Sequence, residues 1–206
     1  MGQLPMTKLS DQMLNFSDLI APFPDERFFS TYHDKQHLHI QASLRDKFAS
    51  IMTWQILSDI LNMTSIWSAT SLTLVMDRET LQAEQYCNVA IGRDGQQVAQ
   101  PDTGKVKDWL QRGATLIAND IDALVPEVAF IADTLEKELG AKAQCNLYLS
   151  LKGQQGFHTH FDFHEVFALH IIGQKADGAL RDGLSIFDRM VSFNQILMVD
   201  TSFEPP

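Results

Sequence analysis

Cysteine, basic residues and long apolar runs are all scarce in this sequence, and each scarcity excludes a class of protein. The two cysteines, Cys87 and Cys145, lie far apart and belong to no Cys-x-x-Cys pair, which excludes a disulfide framework and a cysteine-rich zinc site. The chain begins without a basic-then-apolar signal segment, and no apolar run approaches the roughly 18–20 residues that cross a membrane. We therefore expect a cytoplasmic protein with no membrane partner.

The charge balance of the chain is acidic. Asp and Glu number 26 against 16 Lys and Arg, so the formal net charge is −10. A nucleic-acid-binding surface needs clustered Lys and Arg, and we therefore expect no nucleic-acid partner. A basic substrate, such as an Arg- or Lys-rich protein tail, stays open. The 206 residues, 45% of them hydrophobic and 20% charged, are typical of an ordinary globular protein.

The order of the predicted elements indicates an α+β fold. Apolar spacing and capping residues predict helices at 14–20, 26–32, 53–61, 101–113 and 126–139. Alternation and turn signals predict strands at 38–40, 67–76, 86–91, 96–99, 114–118, 144–151, 165–172, 185–187 and 195–199. We expect a single domain over 1–206, with a mainly helical leading region at 1–65. Residues 66–206 then supply strands with inserted helices, as in an antiparallel β-barrel or jelly roll that is not necessarily complete.

The segment 156–167 concentrates side chains that can bind a metal. Four of the seven histidines lie between positions 158 and 170. Within it, His160-x-Asp162 places an imidazole and a carboxylate on one side of an extended backbone. This pair is two thirds of a 2-His-1-carboxylate iron site. A polar loop with solvated imidazoles is the alternative interpretation of the same residues.

Five spaced elements of the chain resemble the JmjC-type cupin oxygenases, in particular the branch that contains the ribosomal oxygenases. They are Asn146-Leu147-Tyr148, the glycines Gly153 and Gly156, His160-Phe161-Asp162, the strand Glu165-Val166-Phe167-Ala168-Leu169, and Gly173-Gln174-Lys175. Upstream, 28–40 resembles the start of that branch, and 113–117 followed by 124–126 resembles the strand and helix before its barrel. The resemblance covers roughly 23–175, and it implies that the barrel is a double-stranded β-helix of the cupin type.

The resemblance also implies roles for individual residues. It makes His160 and Asp162 ligands of Fe(II), and it makes Lys175 the cation that pairs with the distal carboxylate of 2-oxoglutarate. A dicarboxylate held in a barrel needs such a cationic partner at its far end. Asn146 and Tyr148 share a strand face and could line the same pocket, or they could form the outward polar face of a half-buried strand. The implied activity is hydroxylation of a protein side chain, with a ribosomal protein as one candidate substrate, and a homodimer stays open.

The third iron ligand is not visible, since no histidine follows His170. One interpretation is a truncated or interrupted reading frame. A second is a diverged site in which another residue, such as His158, His170 or Asp188, replaces the missing ligand. A third is a degenerate cupin that binds no iron and acts as a binding or interaction domain. A cupin isomerase or dioxygenase that uses His158 and His160 is a further alternative.

The three histidines that precede the barrel, His33, His37 and His39, carry none of these elements. We expect all three to lie at the surface.

Overall fold

The computed structural model describes residues 15–41, 47–92, 94–151 and 165–171, and the backbone of 183–187 and 195–202, and these residues form five α-helices and ten strands. The helices are α1 (Phe16–Ile20), α2 (Asp25–Arg27), α3 (Trp54–Asn62), α4 (Thr103–Arg112) and α5 (Pro126–Leu139). The strands are β1 (Leu38–Gln41), β2 (Leu72–Met76), β3 (Glu79–Thr80), β4 (Cys87–Ile91), β5 (Gln97–Pro101), β6 (Thr115–Ala118), β7 (Lys142–Ser150), β8 (Glu165–His170), β9 (Gly183–Phe187) and β10 (Gln195–Ser202). A π-helical turn (Phe28–Tyr32) continues α2.

Polar side chains begin the helices at the predicted positions. The Thr53 hydroxyl accepts a hydrogen bond from the Ile56 N–H at 3.2 Å, and the Asp102 carboxylate accepts one from the Lys105 N–H at 2.9 Å. Each bond satisfies one of the N–H groups that the first turn of a helix leaves without an intrahelical acceptor. Because the Lys105 N–H bonds to the charged form of the carboxyl, the pKa of Asp102 lies below its usual value.

Glycines end the two longest helices. Gly113 follows α4 with φ 113°, and Gly140 follows α5 with φ 67°. Both values lie in the left-handed region, which a residue with a β-carbon adopts at a cost. The predicted bounds of α5, from Pro126 to Leu139, agree with the structure.

One predicted strand is shorter than expected. We predicted a strand over 67–76, but β2 begins only at Leu72. The residues before it form a turn in which the Ser68 N–H donates to the Ser71 hydroxyl at 3.0 Å, and the Ser71 N–H donates to the Ser68 hydroxyl at 3.3 Å. Serine hydroxyls close enough to bond to backbone N–H groups compete with sheet pairing, which explains the late start of the strand.

The strands form one large antiparallel sheet and a separate hairpin. The sheet has eight strands in the order β1-β9-β8-β10-β7-β6-β2-β3, and the hairpin pairs β4 with β5. Every pairing is antiparallel. The mixed architecture of helices and an antiparallel sheet agrees with the α+β prediction. Closure of the sheet into a jelly-roll barrel is not seen among the described strands and stays a prediction.

The sheet has one apolar face, which forms the core with the helices. Register places Leu116 opposite Leu149, and Leu74 opposite Leu116, so alternate residues of successive strands point the same way. The members of this apolar face belong to one buried cluster: Leu38, Ile40, Leu72, Leu74, Leu116, Ala118, Cys145, Leu147, Leu149, Phe167 and Leu169. Residues of α5 join the same cluster: Val128, Ile131, Ala132 and Leu135. Cys145 is buried, as expected of a small apolar strand residue.

The helices of the described residues give no membrane segment. The longest of them, α5, has 14 residues. None combines the length and the apolar character that a bilayer span requires.

The cap of α3 offers a test of the local structure. Thr53→Ala removes the acceptor of the Ile56 N–H, so we expect the free energy of unfolding to fall by about 1 kcal/mol. Urea denaturation followed by circular dichroism measures this change. Thr53→Ser keeps the hydroxyl and should stay close to the parent protein. An equal loss in both variants would mean that the methyl group, not the hydroxyl, stabilises this end of the helix.

Candidate functional site

The buried polar side chains of the described residues all lie on the face of the sheet opposite the core. Thr115, Asn146 and Ser150 are 5%, 9% and 5% exposed. Thr115 is the register partner of Ser150, and Asn146 lies four residues before Ser150 on the same strand, so the three share one face. We call this side of the sheet the polar face. Burying polar groups is costly unless they are hydrogen-bonded, so their concentration here marks a candidate binding surface.

Three of the residues singled out from the sequence lie on the polar face. Asn146 and Tyr148 are alternate residues of β7, as expected. Tyr148 and His170 are both register partners of Ile196 in β10, so they occupy one row across the sheet. With one strand between them, their Cα atoms are about 10 Å apart. Asn146 is buried, whereas Tyr148 and His170 are half-buried, so the chain does not present β7 as an outward polar surface.

A turn before α5 anchors the start of β7. The Asn146 side-chain oxygen Oδ1 accepts a hydrogen bond from the Asp120 N–H at 3.3 Å. The Gln144 amide Nε2 donates to Asp120 Oδ1 at 2.7 Å, and the Cys145 N–H donates to Asp122 Oδ1 at 2.9 Å. Asp120 has φ 58°, a left-handed conformation that Asp tolerates better than most residues. These bonds tie consecutive residues of β7 to one turn and so set the position of Asn146.

The strands that flank β10 are parallel to each other. β7 and β8 each pair antiparallel with β10. Ala143, near the start of β7, and Glu165, at the start of β8, are both register partners of Thr201, so both strands begin at the same level. Residues 152–164, which link these two strands in the chain, lie outside the described residues.

The predicted metal ligands and the predicted 2-oxoglutarate lysine lie outside the described residues. His158, His160 and Asp162 belong to the connection between β7 and β8, and Lys175 follows β8. The same holds for Asp188, which lies between β9 and β10. The roles of these residues therefore stay predictions.

A second group of ligating side chains, which the sequence analysis did not identify, joins the leading region to β8. His33 Nε2 lies 3.4 Å from Glu165 Oε2, and His33 Nδ1 lies 3.5 Å from Asp34 Oδ2. The Asp34 N–H donates to Glu165 Oε1 at 3.2 Å. One ligand atom from each residue can be chosen so that all three lie within 4.8 Å of one another.

The expectation that His33 lies at the surface is wrong, because its side chain is only 19% exposed. His37 and His39 are exposed, as expected. His33 is covered because the rings of Phe28 and Phe29 pack against it, with centroids 5.6 and 5.5 Å from the imidazole. Since 131 residues separate Asp34 from Glu165, no local spacing could have revealed the group. The one available signal was an acidic residue at the head of a buried strand.

Burial governs the electrostatics of this group. Desolvation raises the pKa of Glu165 above its usual value, while the Asp34 N–H and the His33 imidazole act in the opposite direction. A carboxylate that is partly removed from water favours a cationic neighbour. The group can therefore hold either a protonated imidazole or a metal cation beside Glu165.

Comparison with known proteins places the β7–β8 region in a recognisable family. Residues 122–177 match the model of the JmjC domain. The chain is 27% identical over 166 residues to ribosomal oxygenase 2 of Rattus norvegicus, an alignment that covers 78% of the chain and 33% of that protein. It is 26% identical over 160 residues to ribosomal oxygenase 1 of Danio rerio, with 78% and 28% covered.

A third relative has a similar degree of identity. The bifunctional lysine-specific demethylase and histidyl-hydroxylase NO66 of Branchiostoma floridae is 24% identical over 164 residues, which cover 77% of the chain and 24% of that protein. The chain thus spans about a quarter to a third of the length of these curated relatives.

The anchor of β7 can be tested by removing the Asn146 side chain. Asn146→Ala leaves the Asp120 N–H without its acceptor, and we expect the free energy of unfolding to fall by about 1 kcal/mol. Chemical denaturation measures the change. Gln144→Ala is the matched control, because its bond to the same turn is exposed and should contribute less. Equal losses in the two variants would show that burial of Asn146 adds nothing to this contact.

Proposed function

We propose that the chain, which matches the JmjC domain model over residues 122–177 and resembles the ribosomal oxygenases, acts as an Fe(II)- and 2-oxoglutarate-dependent oxygenase that hydroxylates a protein side chain. The observation that carries the proposal is the polar face of the sheet. It gathers Asn146, Tyr148 and His170 in the strands on either side of β10, within and beside the matched segment. Ligand sites of this kind need a few convergent polar groups set in an otherwise apolar scaffold.

We assign His160 and Asp162 as the iron ligands. Both lie in the connection from β7 to β8, whose ends, Leu151 and Glu165, are set by the described strands. The apolar face of the sheet is filled by the helices. The polar face is therefore the surface that we propose for the metal centre. An imidazole and a carboxylate are ligands that Fe(II) accepts, and an iron site of this family needs one more histidine or a substitute.

We assign Lys175 as the partner of the distal carboxylate of 2-oxoglutarate. It follows β8 by five residues, counted from His170, the residue that shares a row with Tyr148. The Tyr148 hydroxyl and the Asn146 amide are hydrogen-bond donors of the kind that orient a carboxylate. In this proposal the charge of Lys175 binds the carboxylate, and hydrogen bonds from Tyr148 and Asn146 orient it.

The chemistry would come from the bound metal and co-substrate. A bound Fe(II) would let O2 oxidise 2-oxoglutarate to succinate and CO2, with one oxygen atom of O2 passing into succinate and the other into a C–H bond of the substrate. The residues of the chain bind and orient: His160 and Asp162 hold the metal, Lys175 holds the co-substrate, and the buried polar face keeps bulk water away from both. We further propose that the strands close into a cupin barrel, as part of a single domain over 1–206.

A protein substrate fits the charge of the chain. The net charge of −10 favours a basic polypeptide by long-range attraction. Two of the relatives described above are named ribosomal oxygenases. We therefore propose a side chain in a basic protein segment as the substrate, in the cytoplasm, with a homodimer still open.

A second candidate function is a non-catalytic cupin-like domain that binds a partner without iron chemistry. The observation that favours it is the absence of any histidine after His170. Two ligands hold Fe(II) weakly, and His158 and His170 are the substitutes that we consider for the third. Metal binding separates the two functions.

The oxygenase proposal predicts metal binding that depends on two residues. In an anaerobic titration with Mn(II) as a redox-stable substitute for Fe(II), the chain should bind the ion, and 2-oxoglutarate should strengthen the binding. His160→Ala and Asp162→Ala should abolish the binding that 2-oxoglutarate strengthens, whereas His37→Ala, at an exposed histidine, should leave it unchanged. Binding that 2-oxoglutarate still strengthens without both His160 and Asp162, or no such binding in the parent chain, would contradict the oxygenase assignment and favour the non-catalytic domain.

The assignment of Lys175 is tested by co-substrate affinity. Lys175→Ala should weaken 2-oxoglutarate binding to the Mn(II)-loaded protein by about 10- to 100-fold, since a hydrogen bond to a charged group contributes about 1.5–3 kcal/mol. Lys175→Arg keeps the charge and should lose less. Calorimetry with the metal present measures both. Unchanged affinity in Lys175→Ala would remove this residue from the site.

A further inference from the structure

We propose that His33, Asp34 and Glu165 form a divalent-metal site, with zinc as the best-suited ion, separate from the iron site assigned above. The proposal does not depend on the oxygenase function. It rests on the geometry, the burial and the positioning of the three side chains.

The separation of the imidazole and the carboxylate fits a bound ion better than a direct hydrogen bond. His33 Nε2 and Glu165 Oε2 are 3.4 Å apart, which exceeds the usual N–H···O range of about 2.7–3.2 Å. Zinc binds histidine nitrogen and carboxylate oxygen at about 2.0–2.2 Å in a tetrahedron, so two of its ligands lie about 3.4 Å from each other. The observed separation therefore equals one edge of a zinc tetrahedron.

The two proposed ligand atoms of His33 and Glu165 are both buried. His33 Nε2 and Glu165 Oε2 are each covered from solvent. Burying a carboxylate disfavours its charged form, which is the cause of the raised pKa of Glu165. A divalent cation between the two atoms would offset this cost more strongly than a neutral imidazole does.

Neighbouring groups hold the two buried ligands in place. The Asp34 N–H donates to Glu165 Oε1, which turns the second carboxylate oxygen, Oε2, toward His33. Asp34 follows His33 directly in the chain and has φ 57°, a left-handed conformation. In this conformation its N–H reaches Glu165. The rings of Phe28 and Phe29 pack on the imidazole and restrict its rotation. Such outer contacts are what fixes a ligand before the ion arrives.

The Asp34 carboxylate would supply the third ligand from the solvent side. Its side chain is 62% exposed, so it can change rotamer at low cost; its Oδ2 lies 3.5 Å from His33 Nδ1, and one ligand atom from each of the three residues lies within 4.8 Å of the others. Three protein ligands leave a fourth position for water, as in open zinc sites. One histidine and two carboxylates also suit Mn(II), but an imidazole nitrogen favours zinc over magnesium or calcium.

A metal at this position would join two distant parts of the chain. His33 and Asp34 follow the π-helical turn of the leading region, and Glu165 begins β8. The ion would therefore hold the leading region against the strand that follows the proposed iron-binding segment. Because such a site forms only in the folded chain, binding should raise stability as well as show an affinity.

The test is a Zn(II) titration of the full chain that carries His160→Ala and Asp162→Ala, so that the proposed iron site cannot contribute. We expect one equivalent of zinc to bind and to raise the melting temperature. Glu165→Gln in this background should weaken binding by more than about 100-fold, because even the loss of an outer contact costs about 10- to 100-fold. His37→Ala, at an exposed neighbouring histidine, should leave the affinity unchanged.

Asp34→Asn gives a test that does not depend on a buried change. Asn tolerates the left-handed backbone and keeps the N–H bond to Glu165, so the variant should fold while it loses the exposed charged ligand. We expect it to weaken zinc binding by at least about 10-fold. Cobalt(II) should give the visible absorption bands of tetrahedral coordination in the parent background and lose them in Glu165→Gln. Equal zinc affinity in the background, Asp34→Asn and Glu165→Gln proteins would overturn the proposal and leave a His–Glu ion pair.

Discussion

Strand β7 joins the two halves of the sheet, because it is hydrogen-bonded to β6 along one edge and to β10 along the other. Its side chains alternate between two environments. Cys145, Leu147 and Leu149 enter the core with α5, whereas Asn146 and Tyr148 face the other way. A register slip of one residue would exchange these sets and place the polar side chains in the core. The core and the candidate site therefore depend on the same pairing.

The turn at residues 120–122 helps to hold this register. Bonds from Asp120 and Asp122 reach three consecutive residues at the start of β7, including Asn146. The same turn leads directly into α5, which packs on the apolar face. Helix, turn and strand thus form one unit, and the segment that matches the JmjC domain, 122–177, contains all of it except Asp120 and Ile121. The polar face is consequently carried by the part of the chain with the clearest relatives.

Most helices and strands could be predicted from the sequence because their signals are local. Thr53, Asp102, Gly113 and Gly140 cap helices through contacts within a few residues, and the alternation along β7 is legible without a structure. The prediction for 67–76 failed where local chemistry was ambiguous. Threonine, serine and leucine suit a strand, but the hydroxyls of the Ser68–Ser71 turn bond to the backbone instead. Composition alone does not decide between these outcomes.

The sequence by itself determined the α+β character, the caps of the helices and the family resemblance, since each depends on residues that are close in the chain or on a spaced motif. Only the tertiary structure decided that Thr115, Asn146 and Ser150 share one buried face, because strand register is a property of the whole sheet. It also decided that His33 is not a surface residue. Glu165 reaches it across more than a hundred residues, and such a contact exists only once β8 has paired with β10 and packed against the leading region.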